Sequence, residues 1–161
     1  MPRSSRPEAP AEPRSACRRQ ALDLLARREH SRLELQRKLR TRAHPPDAIE
    51  TVLDALEAEG LLEATRFVES FVRARIGRGQ GPRRIRAELL QRGIGEVDIG
   101  AQLDDAAHDW NALAAEVRRK RFGTPVPGDF AERARQMRFL HYRGFERGQI
   151  EAALDLEAVS D

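Results

Sequence analysis

Cysteine is almost absent from the sequence. Cys17 is the only one among 161 residues, which excludes an intramolecular disulfide framework and a metal site built from a cysteine cluster. The histidines are scattered, with no two at metal-ligand spacing on one predicted helix: His30, His44, His108 and His141. We therefore expect no metal and no cofactor, and a reducing compartment such as the cytoplasm fits this composition.

Long apolar runs and large aromatic side chains are also scarce. No stretch reaches the roughly eighteen apolar residues that a membrane-spanning helix needs, and the N-terminus lacks the apolar segment of a signal peptide. The chain has one Trp and one Tyr, with 40% apolar and 34% charged residues. This composition favours small helical bundles over a sheet-rich enzyme with a deep cleft. We expect a cytoplasmic, all-α protein without a membrane partner.

Lysine is nearly absent, because only Lys38 and Lys120 among the 29 basic residues are lysines. Arginine is the preferred residue for bidentate contacts with phosphate or carboxylate and for stacking on rings. A genomic codon bias explains the same excess equally well, since arginine extends to positions where no partner needs to be invoked. Composition alone leaves both explanations open.

What the sequence does contain is an internal repeat of about fifty residues. Four landmark positions return in each copy, with a first step of 50 residues and a second of 51: Leu39, Leu89 and Leu140; Ala43, Gly93 and Gly144; Ile49, Ile99 and Ile150; Leu53, Leu103 and Leu154. Such a repeat spreads apolar burial over small neighbouring units that stabilise one another. We therefore predict an elongated array of three tandem three-helix repeats.

Charge alternates in sign along the chain. The net charge is +4 in residues 21–46, −6 in 47–70, +6 in 71–93, −6 in 94–116, +6 in 117–147 and −4 in 148–161, although the whole chain carries only +3. Each repeat thus joins a basic block to an acidic one, and the nearly neutral total conceals them.

Helical periodicity divides the chain into an N-terminal arm and three repeats. Four prolines in residues 1–14 predict a disordered arm, and the repeats are predicted at 15–62, 63–106 and 107–161. The first helix is predicted to end near Glu29, and Ser31 with Glu34 predicts a capping box for the second. Residues 97–121 are predicted to form either two helices or one long helix, and residues 122–128 are predicted to form a loop. The last two helices are expected at 130–141 and 149–156.

A glycine-rich segment interrupts the second repeat between residues 77 and 82. It lacks the Lys-Ser/Thr ending and the preceding strand of a phosphate-binding loop, so we do not assign it to nucleotide binding. Gly81 is better placed as the N-cap of a helix that begins at Pro82, where a missing amide costs nothing. The glycines would then act as a flexible hinge.

Arg83, Arg84 and Arg86 crowd the start of this helix. A cation at the positive end of a helix dipole is disfavoured by roughly 0.3–1 kcal/mol, so local stability does not explain them. Exposed amides together with these arginines would bind a phosphate or carboxylate. Salt bridges to the acidic residues between 96 and 105 are the alternative, and the sequence leaves both open. The basic clusters at 37–42 and 118–121 lie at predicted helix C-termini, where the dipole alone explains them.

No catalytic chemistry is indicated. No Ser or Cys stands in a nucleophile motif, and the carboxylates fall on predicted solvated helix faces, so we expect no catalytic residue and no enzyme. Most aromatic residues occupy helical spacings typical of a core: Phe67, Phe71, Trp110, Phe139 and Phe145. Only Tyr142, beside Arg143, is placed for stacking at the surface.

Three separated blocks of the sequence resemble the signature blocks of the RecX family, bacterial regulators of the RecA recombinase. They read RFVESF at 66–71, GPRRIRAEL at 81–89 with Gly93 and Ile94, and RFLHYRGF at 138–145, and HSRLEL at 30–35 matches as well. The resemblance covers residues 16–156 in order. It departs from the family pattern at 63–65, where two acidic residues and a serine are common, and Thr65 is still expected to cap its helix.

The resemblance implies a protein without enzymatic activity that acts in homologous recombination, DNA repair and the SOS response. Such a protein binds the filament that RecA forms on single-stranded DNA and limits filament growth, ATP hydrolysis, strand exchange and repressor cleavage. The implied partners are RecA and single-stranded DNA, contacted directly or through the filament. Filament capping and occupation of the filament groove both stay open, as does which charged block meets RecA.

The residues that we expect to contact this partner lie in the second and third repeats: Arg83, Arg84, Arg86, Arg138, Tyr142 and Arg143. They are inferred from charge and position, and the family resemblance does not imply them. The rival hypothesis is a non-specific nucleic-acid-binding module, which the arginine blocks and a sequence pI of about 9.7 favour. The scarcity of exposed aromatic residues opposes it. We expect a monomer.

Overall fold

The computed structural model describes residues 11–155. Over this range the chain is helical and has no strand, which confirms the predicted all-α fold. The helices are α1 (Ala11–Arg27), α2 (Arg32–Thr41), α3 (Pro46–Ala58), α4 (Ala64–Gly77), α5 (Pro82–Gln91), α6 (Glu96–Leu103), α7 (Trp110–Phe122), α8 (Phe130–Tyr142) and α9 (Arg147–Asp155). None of these helices is both long and apolar enough to cross a membrane. The chain divides into two compact units with a boundary between Phe67 and Val68.

The first unit contains α1, α2 and α3, each of which contacts the other two. The apolar stripe predicted for α3 is confirmed, because Ile49, Val52, Leu53 and Leu56 are all buried. They join residues of the other two helices, and Leu62 from the segment after α3, in one core: Cys17, Ala21, Leu24, Leu35 and Leu39. Cys17 is therefore a core residue, and burial raises the pKa of its thiol.

The second unit contains the rest of α4 and helices α5 to α9. α5 packs on α6, and α7, α8 and α9 pack on one another. The core of this last group is built from Ala114, Ala115, Val117, Leu140, Phe145, Ile150, Ala153 and Leu154. The landmark residues Leu140, Ile150 and Leu154 thus bury the third repeat in the way that Leu39, Ile49 and Leu53 bury the first.

The repeated sequence landmarks mark the same helix ending three times. At the ends of α2, α5 and α8 one residue has a positive φ, of 62°, 80° and 95°, at Ala43, Gly93 and Gly144. The amide that follows donates to the landmark leucine carbonyl, in pairs separated by 3.2, 3.1 and 3.2 Å: His44 to Leu39, Ile94 to Leu89, and Phe145 to Leu140. This is the Schellman motif, which satisfies the last carbonyls of a helix. The fifty-residue period therefore reflects a repeated chain reversal.

Two predicted helix starts differ from the structure. α1 begins at Ala11 rather than near Ser15, so residues 11–14 are helical; Pro13 is tolerated because amides in the first turn have no partner within the helix. The rest of the predicted arm lies outside the described residues. α4 is capped by Glu63 and not by Thr65, since the Glu63 carboxylate accepts the amides of Arg66 at 2.6 Å and Thr65 at 3.0 Å. The hydrogen bond from Arg66 is the main cause that lowers the pKa of the Glu63 carboxyl.

The segment between residues 97 and 121 forms two helices, one of the two alternatives that the sequence allowed. α6 ends at Leu103, and α7 begins after Asp109, whose carboxylate accepts the amide of Ala112 at 2.9 Å. α9 begins at Arg147, two residues earlier than predicted, and its predicted last residue lies outside the described residues. The capping residue predicted for α5, Gly81, is confirmed.

Candidate functional site

Four of the six sequence-predicted residues lie where α5 begins and α8 ends: Arg83, Arg84, Tyr142 and Arg143. The amide of Gly81 donates to the Arg143 carbonyl at 2.8 Å, and the amide of Arg83 donates to the Gly144 carbonyl at 2.9 Å. A Cβ atom on Gly81 would lie 2.5 Å from the Gly144 carbonyl, and one on Gly144 would lie 2.3 Å from the Cβ of Arg84. Glycine is therefore required at both positions by close packing. We call this contact between residues 81–84 and 142–144, together with Arg138 one turn earlier on α8, the junction.

The junction corrects two predictions about the start of α5. The carbonyls of Arg143 and Gly144 occupy the amides of Gly81 and Arg83, so these two amides are not available to bind an anion. The negative end of α8 lies against the positive end of α5, which also relieves the unfavourable placement of cations there. Gly79 and Gly81 are closely packed, which argues against a flexible hinge at these two positions: a Cβ on Gly79 would lie 2.8 Å from Cγ2 of Val117, whereas one on Gly77 would meet nothing within 4 Å.

Two of the six predicted residues have carboxylate partners within the protein. Arg86 pairs with Glu96, as the salt-bridge alternative predicted. Arg84 lies 3.6 Å from Glu88, one turn along the same helix. Arg86 is therefore the least available of the predicted contact residues.

Three of the predicted arginines have no carboxylate within ion-pair distance among residues 11–155: Arg83, Arg138 and Arg143. Arg83 and Arg138 are exposed. Arg143 is held in place, because its guanidinium donates to the carbonyl of Arg78 at 2.9 Å and lies 5.2 Å from the centroid of the Phe139 ring. These cations are free to meet an anionic partner.

Tyr142 is the surface aromatic residue that the sequence predicted, and it is 76% exposed. The guanidinium over its ring is that of Arg84, which lies 5.7 Å from the ring centroid. Arg143, which follows Tyr142 in the sequence, lies over Phe139. A further exposed aromatic residue, Phe130 at the start of α8, is 87% exposed and was not predicted.

Sequence reasoning missed a groove of about 560 Å³ that Arg143 lines together with the end of α4, α7 and α8. We call it the basic groove and define it by an apolar floor of Ile76, Leu113, Val117 and Phe139 and a rim of Arg78, Lys120, Arg121 and Arg143. From the sequence, the helix dipole alone explains the basic cluster at 118–121, and nothing there indicates a role for Arg78. No local signal could have found the groove, because the helices that form it are brought together only in the folded unit.

The junction and the basic groove together form a cationic surface suited to binding an anionic macromolecule. Within residues 11–155 no group of three or more His, Cys, Asp or Glu side chains is placed to hold a metal ion.

Comparison with known proteins identifies the three repeats. Models of the RecX first, second and third three-helix domains match residues 17–56, 65–103 and 109–154 in that order. The matches cover all three copies of the sequence landmarks and both sides of the junction.

Relatives and solved structures agree with these matches. The regulatory protein RecX of Halorhodospira halophila is 53% identical over 138 residues, 86% of each chain. The regulatory protein RecX of Pseudomonas fluorescens SBW25 is 49% identical over 146 residues, 91% of this chain and 94% of the relative. The fold matches the crystal structure of RecX from Lactobacillus salivarius with a TM-score of 0.74 at 21% identity, covering 91% of this chain and 99% of that one. The chain therefore belongs to the RecX family of regulatory proteins.

Proposed function

We propose that this protein is a negative regulator of the RecA recombinase. It binds the filament of RecA on single-stranded DNA and limits filament growth, ATP hydrolysis, strand exchange and repressor cleavage. The observation that carries this proposal is the complete set of three RecX domains, in order, over residues 17–154. A regulator of this kind shifts the filament equilibrium only by its differential affinity for the filament states.

The junction is the surface that we assign to the filament. Arg83, Arg138 and Arg143 have no carboxylate partner in the part of the chain that the structure describes, and Tyr142 is exposed beside Arg84. Arg138 and Tyr142 lie four residues apart on α8 and so share one helix face. A partner that supplies several negative charges matches this surface.

The test of the function is the DNA-dependent ATP hydrolysis of RecA, measured while the protein is added to growing and to preformed filaments. Binding to bare single-stranded DNA is measured in the same buffer. We expect inhibition at well below one molecule per RecA, because a filament regulator acts on the polymer and not on each monomer. No inhibition at any ratio would refute the proposal.

A second function, non-specific binding of single-stranded nucleic acid, has one observation in its favour. Tyr142 presents a largely exposed ring, the kind of surface on which a base stacks. In this case ATP hydrolysis falls only when enough protein is present to coat the strand. Binding would also weaken steeply with salt, since each phosphate contact releases counterions.

Charge reversal tests the assignment of the junction. We expect the double variant Arg83→Glu/Arg138→Glu to inhibit RecA about tenfold less, a loss of about 1.4 kcal/mol. The matched control is Arg19→Glu/Arg40→Glu, which reverses two exposed arginines of the first domain and is expected to inhibit like the wild type. Equal inhibition by both folded variants would remove the junction from the proposal.

A further inference from the structure

The basic groove has a chemistry that differs from that of the junction. Its floor is largely aliphatic, with Ile76, Leu113 and Val117 beside one aromatic ring, Phe139. Ile76, Leu113 and Phe139 are only partly buried, so apolar surface is left for an apolar group to cover. The volume of about 560 Å³ falls within the range of roughly 300–1,000 Å³ that is usual for specific binding pockets.

The one aromatic ring of the floor is already occupied. The guanidinium groups of Arg121 and Arg143 lie 5.9 and 5.2 Å from the Phe139 ring centroid. The rings of Phe122 and Phe139 also pack against each other, with centroids 5.2 Å apart and ring planes at 88°. Nucleic-acid bases bind single-strand grooves by stacking on free aromatic faces. The floor therefore suits aliphatic side chains better than bases.

The rim of the groove carries four cations and one carboxylate. Arg78, Arg121 and Arg143 have no carboxylate partner among residues 11–155. Lys120 pairs with Glu116 at 2.7 Å, but both side chains are exposed, and an exposed pair of this type exchanges easily for another partner. Arg143 is fixed by its hydrogen bond to the Arg78 carbonyl, so the rim is partly preorganised.

We propose that the basic groove binds a short acidic segment of a protein partner, with aliphatic side chains on the floor and carboxylates on the rim. Charge complementarity calls for an anionic occupant, and the aliphatic floor favours a peptide over a nucleic-acid strand. This inference rests on the proposed function only in placing the acidic segment on the RecA filament. The groove then contacts protein, and the junction contacts another part of the filament.

The test uses three fluorescently labelled probes with the full chain. The first is a short peptide built of glutamate and leucine, the second is the same peptide with serine in place of leucine, and the third is an oligothymidylate strand of equal net charge. We expect the first peptide to bind, and we expect the serine peptide to bind about tenfold more weakly because it leaves the floor uncovered. Binding of the oligothymidylate in the groove in preference to the peptide would overturn the proposal.

Matched variants locate the binding. Arg78→Glu/Arg121→Glu reverses two cations of the rim, and Arg73→Glu/Arg119→Glu reverses two exposed cations outside the groove, on α4 and α7, with the same change in net charge. We expect the rim variant to bind the glutamate and leucine peptide at least about tenfold more weakly and the control to bind it like the wild type. Circular dichroism establishes that both variants are folded.

Two further results would overturn the proposal. One is equal peptide affinity in the rim variant and the control variant, and the other is no binding of the peptide to the wild type. Neither result bears on RecA inhibition by the wild-type protein, so the proposed function is judged separately by the ATP hydrolysis assay. If the protein inhibits RecA but does not bind the peptide, the proposed regulatory function stands and the proposal that the groove contacts protein fails.

Discussion

The arginines that link helices within the first domain meet carboxylates, whereas most arginines of the junction and the basic groove do not. In the first unit Arg32 pairs with three carboxylates of α3, Arg18 pairs with Glu59, and Arg66 pairs with Glu29. In the second unit the arginines without a carboxylate partner among the described residues include three at the junction and two more on the groove rim: Arg83, Arg138 and Arg143, then Arg78 and Arg121. At these positions arginine contributes to folding in the first domain, whereas at the junction and the groove its charge is left available for binding.

The repeat itself makes this difference plain. A step of 50 residues maps Leu33, Glu34 and Gln36 of α2 onto Arg83, Arg84 and Arg86 of α5. The core of each helix needs only its buried positions, Leu35 and Leu39 in α2 and Ile85 and Leu89 in α5. The three arginines are therefore not required by the core of α5; Arg84 and Arg86 meet carboxylates, and Arg83 is left exposed without one.

The largest predicted effect concerns two glycines that end helices with positive φ. Gly144→Ala places its Cβ 2.3 Å from the Cβ of Arg84, whereas Gly60→Ala at the end of α3 meets nothing within 4 Å. The left-handed backbone costs an alanine roughly 1–2 kcal/mol at both sites, and overpacking at the junction adds roughly 1–3 kcal/mol. Urea unfolding is expected to show a loss of about 3 kcal/mol for Gly144→Ala and about 1.5 kcal/mol for Gly60→Ala.

Amide exchange sharpens this comparison. In Gly144→Ala the amides of Gly81 and Arg83 lose the carbonyls that they bind, so we expect them to exchange faster, while Gly60→Ala leaves them protected. Equal losses of stability in the two variants would mean that the junction is not closely packed.

A smaller effect is expected from two arginines at the starts of equivalent helices. Arg32 lies 2.8 Å from Glu50, 2.8 Å from Asp54 and 2.9 Å from Glu57. Arg32→Met leaves these carboxylates without their shared cation, and we expect a loss of about 1 kcal/mol because the network is partly exposed. Arg83→Met removes an exposed side chain without an ion pair and should change the free energy of unfolding by less than about 0.5 kcal/mol. Urea unfolding at low and high salt measures both, and only the Arg32 effect should shrink with salt.

The smallest predicted effect is a pH dependence that a buried histidine gives the first domain. His30 is buried, its Nδ1 donates to the Arg28 carbonyl at 3.0 Å, and its Nε2 accepts from Lys38 Nζ at 2.8 Å, so the ring is neutral. Burial, with the charges of Arg28 and Lys38, lowers the pKa of His30 below its ordinary 6.5. The unfolded chain then binds more protons than the native one between the two values, so stability is lost as pH falls below 6.5 toward the native pKa.

The repeat supplies the control for this effect, because the residue 50 positions later is Gln80, which is also buried and does not titrate. His30→Gln should remove a loss of a few tenths of a kcal/mol or more between about pH 7.5 and about pH 5. Urea unfolding of both proteins at the two pH values measures it. An unchanged pH dependence in the variant would assign the loss to the carboxylates instead.

The sequence predicted the helices well where an apolar stripe or a cap dominates, and it failed where the partner of a group is distant. Ser31 caps α2 as predicted, since its hydroxyl lies three residues from the Glu34 amide that it accepts. Arg118 was grouped with its basic neighbours at the end of α7, yet it is buried and donates to the carbonyls of Thr124 and Pro125. The sequence does not distinguish an arginine that interacts with the helix dipole from one whose hydrogen bonds hold a loop in place.

The sequence by itself determined the helices, the three-fold repeat and the family, because these depend on short-range spacing: apolar residues on one helix face and a reversal with positive φ after each landmark leucine. The tertiary structure alone decided which arginines are free. Whether a guanidinium meets a carboxylate, a carbonyl or solvent depends on contacts such as that between Arg143 and the carbonyl of Arg78, 65 residues apart in the chain, and spacing along the chain does not specify such a contact.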